Sequence, residues 1–287
     1  MNVLATIRKV SINYGYRALS VLGPAGFLRY AFASVRDMPG ILAERNLVPV
    51  DRSMSGVMRL NHPVSGSRCL VDLDAYRAGD MEEGSFAFGL LREIWFRNIY
   101  FRHFDMPSRL GCVIDLGANR GIFALQAAAI AEQVIAVEAL DKYRTSFQRN
   151  LDLNGLANVE LIQAMVGGSA FLQTEGQHML GLGELIARAC APVDFLKVDI
   201  EGSEFELDWS AAADVKRIAM EMHPRWGSPA DLVSKVAALG FDCRTYDESM
   251  RSTPAAGADF LLAVNGRYPE ARFARPAADL FGTTSRK

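Results

Sequence analysis

Three short stretches of this chain carry side chains whose types and spacing could do chemistry. One reads Val113-Ile-Asp115-Leu-Gly117-Ala118-Asn119-Arg-Gly121, an apolar run opening into a glycine-spaced turn. The second reads Asp194-Phe-Leu-Lys197-Val-Asp199-Ile-Glu201-Gly202, and the third Ala219-Met-Glu221-Met-His223-Pro224. If the second is a strand, alternation puts Phe195, Lys197, Asp199 and Glu201 on one face, with Leu196, Val198 and Ile200 on the other. Three charges on one face of a central strand are costly unless they are paired or used. By the same alternation Glu221 and His223 share a face. Such a set could take a proton from a poor nucleophile such as a hydroxyl. Asp199, Glu221 and His223 are the candidate bases, and histidine comes first because it titrates near neutrality. Lys197 could orient the hydroxyl or lower its pKa. The plainer alternative is an ion-pair network for Lys197, Asp199 and Glu201 and a capping or core role for His223. No resident metal is expected, although Asp199, Glu221 and His223 could form a metal site on residue types alone.

The glycine stretch points to a ligand. Gly117 lets the backbone turn tightly and approach a ligand closely, and Gly121 lets a helix start near the sheet. Glu138 ends the next apolar run about 20 residues on, where a carboxylate can bind both hydroxyls of a ribose. A dinucleotide site needs glycine at the second place of G-x-G-x-x-G to admit pyrophosphate, and here that place holds Asn119. Asp115 stands just before the turn. A carboxylate there favours S-adenosylmethionine, which has no phosphate but carries an ammonium and a sulfonium. The candidate cofactor contacts are Asp115, Gly117, Ala118, Asn119, Gly121, Glu138, Ala139, Ala164 and Asp199. A ligand-free glycine turn, with Asp115 as a mere helix-turn carboxylate, is the competing reading.

These residues need a scaffold, and from Cys112 the chain supplies one. Cys112–Leu116, Val134–Glu138, Val159–Gln163, Val193–Ile200, Arg217–Met222, Phe241–Tyr246 and Asp259–Val264 read as strands, most of them separated by helices. Asn154-Gly155 closes one helix as a left-handed cap would, and Ser228-Pro229-Ala-Asp231 opens another with its cap and first-turn proline in order. Strands apolar on both faces and alternating with helices predict a mainly parallel α/β sheet, Rossmann-like, with helices on both faces and one of the last two strands free to run antiparallel. Ligands of such sheets bind at the carboxyl ends of the strands, where all three stretches converge. Residues 1–110 read as an extension: helical over 1–50 with breaks at Gly23-Pro24 and Pro39-Gly40, a hairpin over 57–73, and a helix over 84–104. Residues 111–287 form the ligand-binding domain.

The chain has 287 residues, half of them hydrophobic, and a net charge of −2. That balance argues against a general nucleic-acid partner. Cys69, Cys112, Cys190 and Cys243 lie far apart without a CxxC pair, as expected of buried thiols in a reducing, cytoplasmic setting rather than of zinc or a disulfide framework. No uninterrupted apolar run reaches about 18 residues, so no membrane span is expected. The first 36 residues hold Arg8, Lys9, Arg17, Arg29 and Arg36 with no acid before Asp37. They suit either a helix packed on the domain or a basic segment lying on a membrane or partner.

The strings VIDLGANRGIFAL, VIAVEAL, NLDLNGL, DFLKVDIEGSEFEL and IAMEMHP resemble the FkbM-type methyltransferase family over roughly Cys112 to Asn265, and Leu182–Ile186 looks like a short helix of that family. The resemblance implies a seven-stranded methyltransferase sheet, S-adenosylmethionine as donor, and O-methylation of a hydroxyl on a small molecule or glycan. It implies that Asp115, Gly117, Asn119 and Glu138 contact the cofactor and that Lys197, Asp199 and Glu201 lie by the methyl. Two other readings are an RNA 2′-O-methyltransferase, disfavoured by the acidic balance, and an inactive S-adenosylmethionine-binding module, which would need Glu138 but not Lys197 or His223.

Overall fold

The computed structural model describes residues 15–76, 87–167 and 178–275. Its centre is a seven-stranded sheet built from β3 (Leu110–Leu116), β4 (Ala131–Glu138), β5 (Val159–Gln163), β8 (Val193–Val198), β9 (Arg217–Glu221), β10 (Phe241–Tyr246) and β11 (Phe260–Asn265). The strand order is β10-β11-β9-β8-β3-β4-β5. The five strands β5, β4, β3, β8 and β9 run parallel, and β11 pairs antiparallel with both β9 and β10. This is the Rossmann-like methyltransferase architecture expected from the sequence. It follows from the local chemistry. Parallel neighbours require crossover helices, whereas β11 reaches its place without one. The reversal between β4 and β8 on either side of β3 makes a crevice at their carboxyl ends.

The helices between strands are α5 (Ile122–Ala128), α6 (Arg144–Asn154), α7 (Leu182–Ala187) and α8 (Pro229–Ala238). Gly155, in the left-handed region, closes α6 and donates to Asp152 O and Leu151 O. Ser228 caps α8 by accepting from Asp231 N, with Pro229 in the first turn. A two-residue parallel ladder, β6 (Met165–Val166) with β7 (Met179–Leu180), was not foreseen.

The amino-terminal portion contains α1 (Gly15–Arg36), α2 (Met38–Glu44), α3 (Val48–Ser53), the hairpin β1 (Val57–Asn61) with β2 (Arg68–Asp72), and α4 (Ala87–Leu91). The expected break at Gly23-Pro24 is a kink inside α1, where Gly23 has φ 65°. The break expected at Pro39-Gly40 falls at Asp37 instead, because Pro39 occupies the first turn of α2, where its missing N–H costs nothing. The helix expected over 84–104 is shorter: α4 passes into a π-helical turn, Arg92–Arg97, which Asn98 ends at φ 52°. Part of that expected helix, 84–86, lies outside the described residues. The segment Arg17–Arg36, with mean hydropathy 1.3, is long and apolar enough to cross a membrane by length and composition alone. The sequence reading missed it because Arg29 interrupts the run.

The described residues of the extension, 15–76 and 87–110, do not pack apart from the sheet. On one face a single core joins Ala18, Leu60, Trp95 and Phe101 to Val113, Phe123, Phe147 and Phe195. Phe101 is the bridge: its ring lies 5.2 Å from Phe123 and 4.8 Å from Phe195. The opposite face forms a second core with Leu185, Trp209, Leu232 and Val236 over Ile114, Leu196 and Ile218. Because Phe101 is fully buried between the two portions, Phe101→Ala is expected to cost about 3–5 kcal/mol. Denaturant unfolding followed by tryptophan fluorescence and by circular dichroism should remain one coincident transition at a lower midpoint. Two separated transitions would show that the extension unfolds on its own.

Candidate active site

The three stretches meet at the carboxyl ends of β3, β4, β8 and β9. β3 delivers Asp115 and β8 delivers Lys197 in register beside it. Both side chains are buried, Lys197 being 3% exposed and Asp115 0%. Lys197 Nζ lies 3.0 Å from Asp115 Oδ1 and 3.6 Å from Asp199 Oδ2. It also donates to the carbonyls of Leu116 (3.2 Å) and Gly117 (2.6 Å). Burial opposes its charge, but Asp115 and Asp199 outweigh burial and raise its pKa, so the ammonium stays charged. This is a different job from the hydroxyl-orienting one expected of Lys197. Its donors are directed at Asp115 and at the turn, and it holds that turn in place. Asp115 likewise faces Lys197 and is 0% exposed.

The turn itself is tightly constrained. Gly117 has φ 74°, and a β-carbon there would sit 1.7 Å from the carbonyl oxygen of Asp199. At Gly121, φ 77°, a β-carbon would meet the Phe147 ring at 2.1 Å. Ala118 is buried and donates from its backbone to Val137 O. Asn119 stands at φ 49°, and its Oδ1 is buried with no hydrogen-bond partner.

Glu138, at the end of β4, accepts from Asn119 N at 2.7 Å through Oε2 and from Leu140 N at 2.8 Å through Oε1. Burial raises its pKa, and these two amide bonds oppose that. One amide on each oxygen fixes the carboxylate and leaves a lone pair on each for a further donor. Beside it lies a narrow recess lined by Asn119, Glu138, Tyr143, Phe147, Leu161 and Gln163 among others. Of the other two expected contacts, Ala139 is half-buried next to Glu138, and Ala164 is buried with its N–H on Glu138 O.

Past β8 the chain turns sharply. Asp199 is partly exposed and accepts from Tyr100 Oη at 3.1 Å. Glu201, at φ 53°, projects into solvent, 82% exposed. Gly202 follows at φ 113°, where a β-carbon would strike the Trp226 ring at 2.4 Å. Glu204, which the sequence reading passed over, is fully buried. Its Oε1 accepts from His223 N (2.8 Å) and pairs with His223 Nδ1 (2.9 Å), and its Oε2 accepts from Gly202 N (2.8 Å). The other ring nitrogen, Nε2, lies 3.5 Å from Glu201 Oε2. Burial lowers the His223 pKa, but the Glu204 bond and the charges of Glu204, Asp199 and Glu201 prevail and raise it to about 9. Held this way against Glu204, the ring favours its charged imidazolium form.

Glu221, the acid on the same face as His223, also has a raised pKa. Burial, then Asp199 and Glu93, push its carboxyl up to about 8, and it accepts no hydrogen bond among the described residues. Asp199, Glu201 and His223 bring ligating atoms within 4.8 Å of one another, so they could hold a metal ion, with Glu201 in the place expected of Glu221.

The other histidines stand apart. His62 accepts from Val64 N and Ser65 N under the hairpin, and His103 stacks on Tyr246 at 4.5 Å. His178 is exposed at the start of the β6–β7 ladder. Cys190 is exposed, unlike the buried Cys69 and Cys112.

No family model matches the chain, and no curated protein matches it. Among solved structures it is similar to an rRNA methylase from Streptococcus thermophilus at 14% identity and TM-score 0.39, covering 56% of this chain and 88% of that one. It is similar to a putative methyltransferase from Streptococcus mutans in complex with SAH at 10% identity and TM-score 0.39, covering 58% and 93%. It is also similar to methyltransferase FkbM from Methylobacillus flagellatus at 14% identity and TM-score 0.41, covering 67% and 57%. Likenesses this distant decide neither cofactor nor acceptor, and the chemistry rests on this chain's own residues.

The His223–Glu204 pair has a pH signature. Its folded pKa, raised from 6.5 to about 9, makes its stabilisation complete below pH 6.5 and lost as pH rises through about 9. Melting of wild type and His223→Gln should differ most near about pH 6 and converge by about pH 10. A difference that does not change with pH would mean that the imidazole is neutral in the folded protein.

Proposed function

We propose that this chain is an S-adenosylmethionine-dependent methyltransferase acting on a hydroxyl of a small molecule or glycan, of the FkbM type that its motifs resemble. The observation that carries the cofactor is the pairing of Glu138 with Asn119. A carboxylate pinned by two amides keeps one lone pair on each oxygen for a ribose diol, and a buried amide oxygen beside it lacks a donor. The Asn119 oxygen suits an ammonium, and Asn119 in place of glycine does not suit a pyrophosphate. Tyr143, Phe147 and Leu161 supply the apolar walls that a purine needs.

When bound, S-adenosylmethionine supplies an electrophilic methyl. The chain's own residues prepare the acceptor. Glu221, poised near neutrality, takes the hydroxyl proton, and a base is most useful when its pKa lies near the working pH. The His223 imidazolium, oriented by Glu204, can donate from Nε2 to an acceptor oxygen. Tyr100 holds Asp199; burial and then Asp199 itself raise the phenol's pKa, so Tyr100 remains a donor. The site gathers Asp199, Glu201, Glu204 and Glu221 around Lys197 and His223, a setting that suits a neutral hydroxylated acceptor better than a polyanionic RNA. An inactive binding module would have no use for a half-buried carboxyl raised toward neutrality at this position.

Calorimetric titration with S-adenosylhomocysteine, with NAD in parallel, tests the cofactor. Binding of the former alone is expected, and Glu138→Ala should weaken it by about 1–3 kcal/mol, the loss of charge-assisted hydrogen bonds. Binding of neither would remove the reading. Binding with unchanged affinity in the variant would move the ribose elsewhere.

A further inference from the structure

Beyond the active site, the outer face of α1 exposes a group of large apolar side chains. After the kink at Gly23, Leu28, Phe32 and Val35 recur at helical spacing and point away from the protein, 68%, 71% and 71% exposed. Met38 and Leu42 of α2 continue the strip. Scattered exposed apolar residues are ordinary, but five within fifteen residues of two consecutive helices are not. The opposite face of α1 is already committed: Ala18, Val21, Leu22, Tyr30 and Ala33 are buried in the core. Asn61 donates to Ser20 O at 2.9 Å and Arg17 to Arg97 O at 3.1 Å. A helix fastened to its own domain along one side lies on a surface and does not cross a bilayer, even though its composition would allow crossing.

Charge identifies the surface. Arg29 and Arg36 each follow an exposed apolar residue, Leu28 and Val35, and 100° per residue puts them along the rim of the strip. Arg29 bonds to Ser55 and Arg36 to Asp37, so both are held near that rim. Gly15–Arg36 carries Arg17, Arg29 and Arg36 with no acid before Asp37, in a chain whose net charge is −2. An apolar strip edged by cations is the pattern of an interfacial helix, whose apolar side enters the acyl boundary while arginines reach the headgroups.

We propose that the α1–α2 face docks this protein on an anionic phospholipid bilayer. The apolar strip inserts and the arginine rim meets lipid phosphates. This inference does not depend on the cofactor or on the reaction.

Co-sedimentation of the full chain with phosphatidylcholine vesicles, with and without about one-third phosphatidylglycerol, tests it. The protein is expected to pellet with the anionic vesicles and to stay in solution with the neutral ones. Binding should fall as salt shortens the Debye length from about 10 Å to about 3 Å. Leu28→Ser/Phe32→Ser/Val35→Ser should lower partitioning at least about tenfold. The three positions are exposed, and unchanged circular dichroism and melting would show that the variant is folded; Phe32→Ser alone, with a smaller drop, serves if the triple variant is not. Wild type that stays in solution with both compositions overturns the proposal, as does a folded triple variant that pellets like wild type. A concentration-dependent dimer by light scattering, abolished in the triple variant and without vesicle binding, would assign the face to a second copy and also overturn it.

Discussion

One buried cation organises this molecule. Lys197 is surrounded by the Asp115 and Asp199 carboxylates and the carbonyls of Leu116 and Gly117, almost without water. An ammonium in such a place is tolerable only because every proton has an oxygen, and removing one member of a buried pair typically costs about 3–5 kcal/mol. The geometry follows from that demand. Asp115 and Lys197 must be neighbours on adjacent parallel strands, and the chain must bend immediately after both so that its carbonyls reach the ammonium. The bend after β3 is Gly117, pressed against the Asp199 carbonyl so closely that no side chain fits. The same bend sets Asn119 beside Glu138. The pocket side and the proton-handling side of the site therefore share one electrostatic hub.

Around that hub the protein separates its acids by environment. Glu138 is tied down by two amides. Glu204 is fully buried and spends its charge on the His223 ring and backbone. Glu221 is half-buried without a donor and is raised to about 8, which makes it the acid suited to exchange a proton near neutrality. Residue types alone do not distinguish these three. Partners and water access do.

Much of the frame was legible because it depends on local pattern. Apolar runs split by helices gave the parallel sheet, Gly155 and Ser228 marked helix ends, and the interval from Gly117 to Glu138 joined the first two strand ends. The parts that were not legible are tertiary. Alternation put Lys197 on the right face but could not say that neighbouring carbonyls would consume its donors. Glu204 sits in a short turn where no period applies, and only the folded chain brings it under His223. Tyr100 follows the left-handed Asn98, so its neighbour Ile99 counted in the helical stripe while the phenol itself was overlooked. The preference for His223 as base came from its ordinary pKa, which the acids packed around it shift out of the useful range.

That the buried ammonium holds the glycine turn is tested most directly with Lys197→Met, which keeps most of the length of the side chain and removes the charge. Amide hydrogen exchange across residues 117–121, measured alongside S-adenosylhomocysteine affinity, reads the turn itself. The expected result is a loss of protection in that turn together with a loss of affinity of about tenfold or more, while the strands away from the site stay protected. Unchanged protection and affinity within about twofold of wild type would contradict the account, because the turn would then be held by its glycines and backbone bonds alone.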